Sequence, residues 1–273
     1  MKNYSEELLH ADLTADQKAK VEAETRYQWT KRFWEGFVYP AITGAPNPSH
    51  YGFAEGPSVQ TNKDEILAQR KTEHFGQVLP IEDVEKVIDM VDSITRMPCG
   101  CRYIHTGLAD RRYCFGLGLD KWSILGKYPD AAASLEVLDK AEARKYFRHF
   151  DQEGLVHSIW TGVTPYVVGL CNCDRDCLAY DGYIIRRGLP QFFRAEYICQ
   201  VDWDACTGCK NCMSQCQFGA MFYSSALGKI NIDPHRCFGC GVCRAECPND
   251  AIMLIPREAK PEVANEWLEE TGG

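Results

Sequence analysis

Several features that would signal a function are missing from this sequence, and each absence closes off a class. No run approaches the roughly 20 apolar residues that a membrane span requires, so no integral membrane segment is expected. Positive charge is scarce: 30 Lys and Arg face 38 Asp and Glu, for a formal net charge of −8. Nucleic-acid binding relies on cationic neutralisation of phosphates, so no nucleic-acid partner is expected. Nucleotide motifs are lacking too. Gly116-x-Gly118 has no third glycine, preceding strand or later acid to make a dinucleotide fingerprint. There is no P-loop and no Cys-x-x-Cys-His haem attachment. The opening Met1-Lys2-Asn3-Tyr4-Ser5-Glu6-Glu7 has neither an apolar signal core nor a twin-Arg leader, which predicts a cytoplasmic location.

Cysteine, by contrast, is abundant. Fifteen in 273 residues is an odd number in a chain too long for a small disulfide-stapled scaffold. Metal ligation in a reducing compartment fits better. With 45% hydrophobic and 25% charged residues, the chain can build one large or two ordinary globular domains.

The pattern predicts an α+β protein. Residues 5–35 read as helix, with Ala, Glu, Lys and Gln abundant and no Pro or Gly before Gly36. Tyr27, Trp29, Phe33, Trp34 and Phe37 make its end an aromatic packing face. Residues 40–62 carry Pro40, Gly44, Pro46, Pro48, Gly52, Gly56 and Pro57, an irregular connection. Ile81, Val84, Val87, Ile88, Val91 and Ile94 predict an amphipathic helix over 80–95, with Pro80 in its first turn. A further helix is expected over 134–152, with Ser134 as N-cap and Gly154 as its stop. Residues 155–160 and 166–170 read as two strands of a hairpin, the second delivering Cys171. The expected divisions are a helical or extended region over 1–79, a mixed α/β cysteine-bearing region over 80–192, a cluster-binding domain over 193–258 and a polar tail over 259–273.

Two runs decide the C-terminal part. One is Cys206-x-x-Cys209-x-x-Cys212-x-x-x-Cys216; the other is Cys237-x-x-Cys240-x-x-Cys243-x-x-x-Cys247-Pro248. Each has the spacing that holds a [4Fe–4S] cluster through soft thiolates. The surrounding residues repeat as well, Cys206 to Met221 aligning with Cys237 to Ile252. Gly208 and Gly239 occupy the first loop of each run, where a residue without Cβ tolerates a tight backbone. Zinc is the alternative metal for Cys-x-x-Cys pairs, and two evenly spaced sets of four disfavour it.

Residues 201–255 resemble the two-[4Fe–4S] bacterial ferredoxin family. The resemblance implies a pseudo-twofold βαβ-βαβ dicluster domain in which the fourth cysteine of each run serves the other cluster. On that rule one cluster takes Cys206, Cys209, Cys212 and Cys247, and the other takes Cys237, Cys240, Cys243 and Cys216. Gln217 stands where the family has proline, which touches loop rigidity and not ligation.

A second set of cysteines precedes this region: Cys99-x-Cys101, Cys114, and Cys171-x-Cys173-x-x-x-Cys177. With Pro98, Arg102, Gly154-Leu155-Val156-His157 and Asn172, this series resembles larger anaerobe proteins in which a cysteine-containing α/β region leads into a two-cluster ferredoxin module. The resemblance spans about residues 80–258 and implies redox work. Three readings stand. The first is a third [4Fe–4S] cluster on Cys101, Cys171, Cys173 and Cys177, with Cys99 and Cys114 as alternative ligands. The second is a zinc site, and the third is a set of buried or redox-active thiols. Cys199 reads as a packed strand thiol. His105, His157 and His235 read as hydrogen-bonded or surface histidines, His157 with the option of tuning a cluster. Arg111-Arg112 and Arg186-Arg187 are solvated patches or a docking site for an acidic redox partner.

Together these features predict an iron–sulfur electron-transfer protein or subunit that relays single electrons to a flavin- or metal-containing oxidoreductase. The rival is a self-contained reductase with its catalytic centre in residues 1–192; a redox sensor that signals through cluster loss is the third.

Overall fold

The computed structural model describes residues 76–107, 111–118, 135–161, 167–185 and 192–266. The helix expected over 5–35, the connection over 40–62, Ser134, Arg186-Arg187 and the tail beyond residue 266 lie outside them. Among the described residues no helix is long and apolar enough to cross a membrane.

Six antiparallel strands make the first sheet: β1 (Gly76–Leu79), β2 (Ile94–Met97), β3 (Cys114–Leu117), β4 (Glu136–Leu138), β5 (Val156–Thr161) and β6 (Val167–Cys173), in the order β1-β5-β6-β3-β2-β4. The expected hairpin is the β5–β6 pair. Two helices cover one face, α1 (Ile81–Met90) and α3 (Lys140–Gln152). Their apolar stripes, Val84 and Ile88 on one and Ala143, Phe147 and Phe150 on the other, meet Ile94, Phe115, Leu117 and Leu170 of the sheet. Burying each Phe contributes about 2 kcal/mol. Antiparallel strands covered by helices on one side make an α+β architecture.

Two helix boundaries differ from expectation. The amphipathic helix ends at Met90, and Ile94 opens β2 instead. Asp92-Ser93 interrupts it, and Ile94 is buried from the strand. The expected helix over 134–152 divides into β4 and α3, and Asp139 rather than Ser134 is the cap. Asp139 Oδ1 accepts from the Glu142 amide at 2.8 Å, and Glu142 Oε2 accepts from the Asp139 amide at 3.0 Å, a capping box. Asp139→Ala should cost about 1 kcal/mol, read as a lower urea midpoint at unchanged slope. Gly154, with φ +78, ends α3 as expected.

The C-terminal residues form a smaller repeat. β7 (Tyr197–Val201), α4 (Asn211–Gln215) and β8 (Met221–Ser224) make the first half; β9 (Lys229–Ile232), a 3₁₀ turn (Val242–Arg244) and β10 (Ile252–Pro256) make the second. β7 pairs with β10 and β8 with β9, both antiparallel, so each half is stitched to the other. The hydrogen bonds repeat with the sequence. The Asp202 amide donates to the Ala251 carbonyl and the Asp233 amide to the Ala220 carbonyl, each at 2.8 Å. The second helix of the expected βαβ-βαβ pattern is reduced to the single 3₁₀ turn.

Candidate metal centres

The repeat encloses two small cavities. One is lined by Cys206, Cys209, Cys212 and Cys247, with Val201, Ile230 and Ile252 among its apolar walls. The other is lined by Cys216, Cys237, Cys240 and Cys243, by Cys199 of β7, and by Phe218, Phe238 and Val242. Each cavity therefore takes three thiols from one run and the fourth from the other. Four soft donors around an apolar hollow suit an iron–sulfur cluster. Of the fifteen cysteines, none is in a disulfide and only Cys209 is exposed.

Backbone amides point at the sulfurs in matched pairs. The Ala220 amide donates to Cys216 Sγ at 3.3 Å and the Ala251 amide to Cys247 Sγ at 3.2 Å. The Cys199 amide lies 3.5 Å from Cys237 Sγ, and the Cys199 thiol lies 3.7 Å from that of Cys243. Cys199 is thus a strand thiol, but one placed against the second cavity. Such donors disperse thiolate charge. Without a metal, burial pushes the Cys240 thiol well up and Cys212 to about 11. Loading a cation into these cavities must expel protons.

The six earlier cysteines come together in one patch. Cys114 opens β3 directly opposite Cys171 of β6, and strand alternation turns Cys114, Cys171 and Cys173 to the face opposite α1 and α3. Cys114 and Cys171 Sγ are 3.9 Å apart; Cys173 and Cys177 Sγ are 3.4 Å apart. Cys99 stands before helix α2 (Gly100–Thr106), which carries Cys101. The Cys101 thiol lies near that of Cys177, and the Cys99 thiol near that of Cys114. The proton sharing is unequal. The Cys101 and Cys173 thiols hold Cys177 well below the usual thiol range, and that of Cys114 lowers Cys99. Cys177 in turn pushes Cys101 and Cys173 far up.

This patch and the second cavity share one core. Cys173, Cys177 and Tyr180 pack with Phe218, Cys240 and Val242. Phe218 and Phe238 stack with centroids 4.0 Å apart and planes 8° apart. Tyr180 meets Phe218 edge-on, and the Tyr180 hydroxyl donates to the Gln217 carbonyl. Gln217 itself explains the missing proline. Its Nε2 reaches the Gly154 carbonyl at 2.5 Å and the Cys173 carbonyl at 3.3 Å, tying the sheet to the repeat. Gln217→Ala should lower stability by about 1–2 kcal/mol, because it leaves buried carbonyls without their donor; a urea titration measures this.

Two buried cations were not evident from sequence. Arg257 donates to the carbonyls of Ala195, Tyr197 and Cys237 at 2.9–3.0 Å, bracing the loop that carries Cys237. Arg102 sits among the six-thiol patch, 1% exposed. The histidines have other partners. His157 lies on the helix-covered face, its Nδ1 2.6 Å from Asn172 Oδ1 and its ring against Phe147. His105 pairs with Asp181 and His235 with Glu266.

A family model described as a 4Fe-4S dicluster domain matches residues 205–252. The indolepyruvate oxidoreductase subunit IorA of Pyrococcus abyssi is 43% identical over 81 residues, 30% of this chain and 12% of that protein. An archaeal-type glutamate synthase [NADPH] of Thermotoga maritima is 28% identical over 75 residues, 28% of this chain and 15% of that protein. A subunit of the ion-translocating oxidoreductase complex of Methanosarcina acetivorans is 40% identical over 57 residues, 21% of this chain and 20% of that protein. The chain thus spans a fifth or less of the length of these curated relatives. Near its C-terminus this chain carries an iron–sulfur domain of the electron-transfer type.

Proposed function

We propose that the chain is an electron-transfer protein or subunit holding two [4Fe–4S] clusters and a third metal centre, working with a flavin- or metal-containing oxidoreductase. One cluster is assigned to Cys206, Cys209, Cys212 and Cys247, the other to Cys237, Cys240, Cys243 and Cys216. The observation that carries this reading is the pair of thiol-lined hollows, each holding three cysteines of one run and the last cysteine of the other, with Cys199 as a fifth thiol beside the second. Such clusters supply one-electron chemistry when bound. The residues around them exclude water, donate amide hydrogens to sulfur and hold the two sites in one small core.

For the third centre, Cys101, Cys171, Cys173 and Cys177 are the preferred ligands, with Cys99 and Cys114 as the alternatives and zinc as the alternative metal. Cys101, Cys171, Cys173 and Cys177 pack in one core that leaves out Cys99 and Cys114, and Cys177 Sγ lies 3.4 Å from Cys173 Sγ, which favours that set. The three thiol sets lie in series: the six-cysteine patch shares a core with the second cavity, the second shares one with the first, and the first ends at exposed Cys209. A partner's approach at Cys209 fits the exposed Leu227, whose neighbour Gly228 lies against Gly208 of that loop. The proposed divisions are 1–79, a cysteine-bearing region over 80–192, a dicluster domain over 193–258 and a tail over 259–273. The relatives' complexes make an oxidoreductase partner the natural acceptor or donor.

Iron and acid-labile sulfide analysis of anaerobically purified protein tests the count. About twelve of each per chain is expected; about eight would remove the third cluster, and none would remove the proposal.

A further inference from the structure

We propose that Arg102 is the counter-charge and positioning residue of the third centre: it fixes the three cysteine-bearing segments around one point and raises the centre's reduction potential. This inference rests on the third centre proposed above.

The geometry is that of a hub. Arg102 Nη1 donates to Cys99 Sγ at 3.3 Å. Nη2 donates to the Asn172 carbonyl at 3.0 Å and lies 2.8 Å from Asp174 Oδ1. The guanidinium carbon stands 4.1 Å from the Tyr113 ring centroid. Each contact falls beside a cysteine: Tyr113 precedes Cys114, Asn172 separates Cys171 from Cys173, and Asp174 follows Cys173. One side chain thus touches the 99–101, 113–114 and 171–174 segments together. A planar, always-charged fork can do this; a lysine keeps the charge but cannot reproduce the fork and the stacking. Asp174 is partly solvated and offsets the cation only in part. The nearby His105 and Asp181 are engaged with each other. Cys99, the sulfur Arg102 touches, is an alternative ligand, and the charge also acts through space on Cys177 of the preferred set; a cation so close favours the more negative, reduced state of a centre bound there.

The test is a redox titration of the third centre, followed by EPR, in wild type, R102Q and R102K. In R102Q the reduction equilibrium should fall tenfold or more, about 59 mV for one electron. The two clusters of the C-terminal repeat should keep their potentials. R102K should fall less than R102Q, because the charge survives. An unchanged potential in R102Q overturns the inference, and so does R102K falling as far as R102Q. Should R102Q lose the third centre, D174N decides: freed of its carboxylate partner, Arg102 should raise the potential, and a fall or no change overturns the proposal. Wild-type protein with about eight irons and no third signal overturns the third-centre reading itself. A shifted iron count and a static potential are therefore distinct failures.

Discussion

Replacing Cys216 with serine will remove the cluster built on Cys237, Cys240 and Cys243 and spare the one built on its own sequence neighbours. Cys216 follows Cys206, Cys209 and Cys212 in the chain, yet it lines the other cavity. Strand pairing causes the crossing. β7 pairs with β10 and β8 with β9, so the end of each run is delivered to the opposite half. The Ala220 amide already points at Cys216 Sγ from that side. Iron should fall by about four per chain in C216S. The double variant C216S/C237S should lose no more, whereas C216S/C206S should lose about eight. If C216S/C206S instead matches C216S alone, each run serves its own cluster and the interleaved assignment is wrong. C247S should behave as the mirror image, pairing with C206S.

Gly239→Val should cost about 4 kcal/mol or more and release the second cluster, because two penalties coincide. Gly239 has φ +72, a conformation that costs an L-residue roughly 1–2 kcal/mol. A Cβ there would also stand 2.0 Å from the Tyr197 carbonyl oxygen and 2.7 Å from its carbon. That carbonyl belongs to β7, held by β10 on one side and accepting from Arg257 Nη2, so it has little freedom to withdraw. Gly107 separates the two causes. It has the same φ of +72 with nothing within 4 Å of its notional Cβ, so Gly107→Ala should cost only about 1 kcal/mol. Thermal or urea unfolding of both variants, with iron analysis, reads the difference. Equal costs would show that the close approach to β7 does not matter.

The contrast between these glycines bears on what the amino-acid sequence reveals. Gly208 and Gly239 are legible because the cysteine spacing fixes where the tight loops fall. Both have positive φ, and both lie against backbone carbonyls. The eight cysteines of the two runs are legible for the same reason: the spacing is local and repeats. Helix ends are less so. Ile88, Val91 and Ile94 continue a helical period, but Ile94 is equally suited to a buried strand, and pairing with Leu117 and Leu138 decides the matter. Asp139 and Glu142 carry the capping-box signature in plain view, and Ser134 competes with them only when the strand between is overlooked.

What depends on distant partners is hidden. Arg102 and Asn172 are 70 positions apart, and no period links them. Gln217 looks like a lost proline until its bonds to Gly154 and Cys173 are seen. The six earlier cysteines suggest a metal site by their density; that all six meet in one patch follows from the Cys114–Cys171 register and from α2 folding back on the π-helical segment Leu178–Ile185. The sequence leaves His157 the option of tuning a cluster, but strand alternation turns it to the face opposite Cys171 and Cys173, toward Phe147.

Diffraction from anaerobically grown crystals, with data at the iron absorption edge, asks the central question most directly. Two compact four-iron sites should appear inside the repeat, one bonded to Cys206, Cys209, Cys212 and Cys247 and one to Cys216, Cys237, Cys240 and Cys243. Signal at the zinc edge in those two hollows, or no anomalous signal at all, would contradict the account.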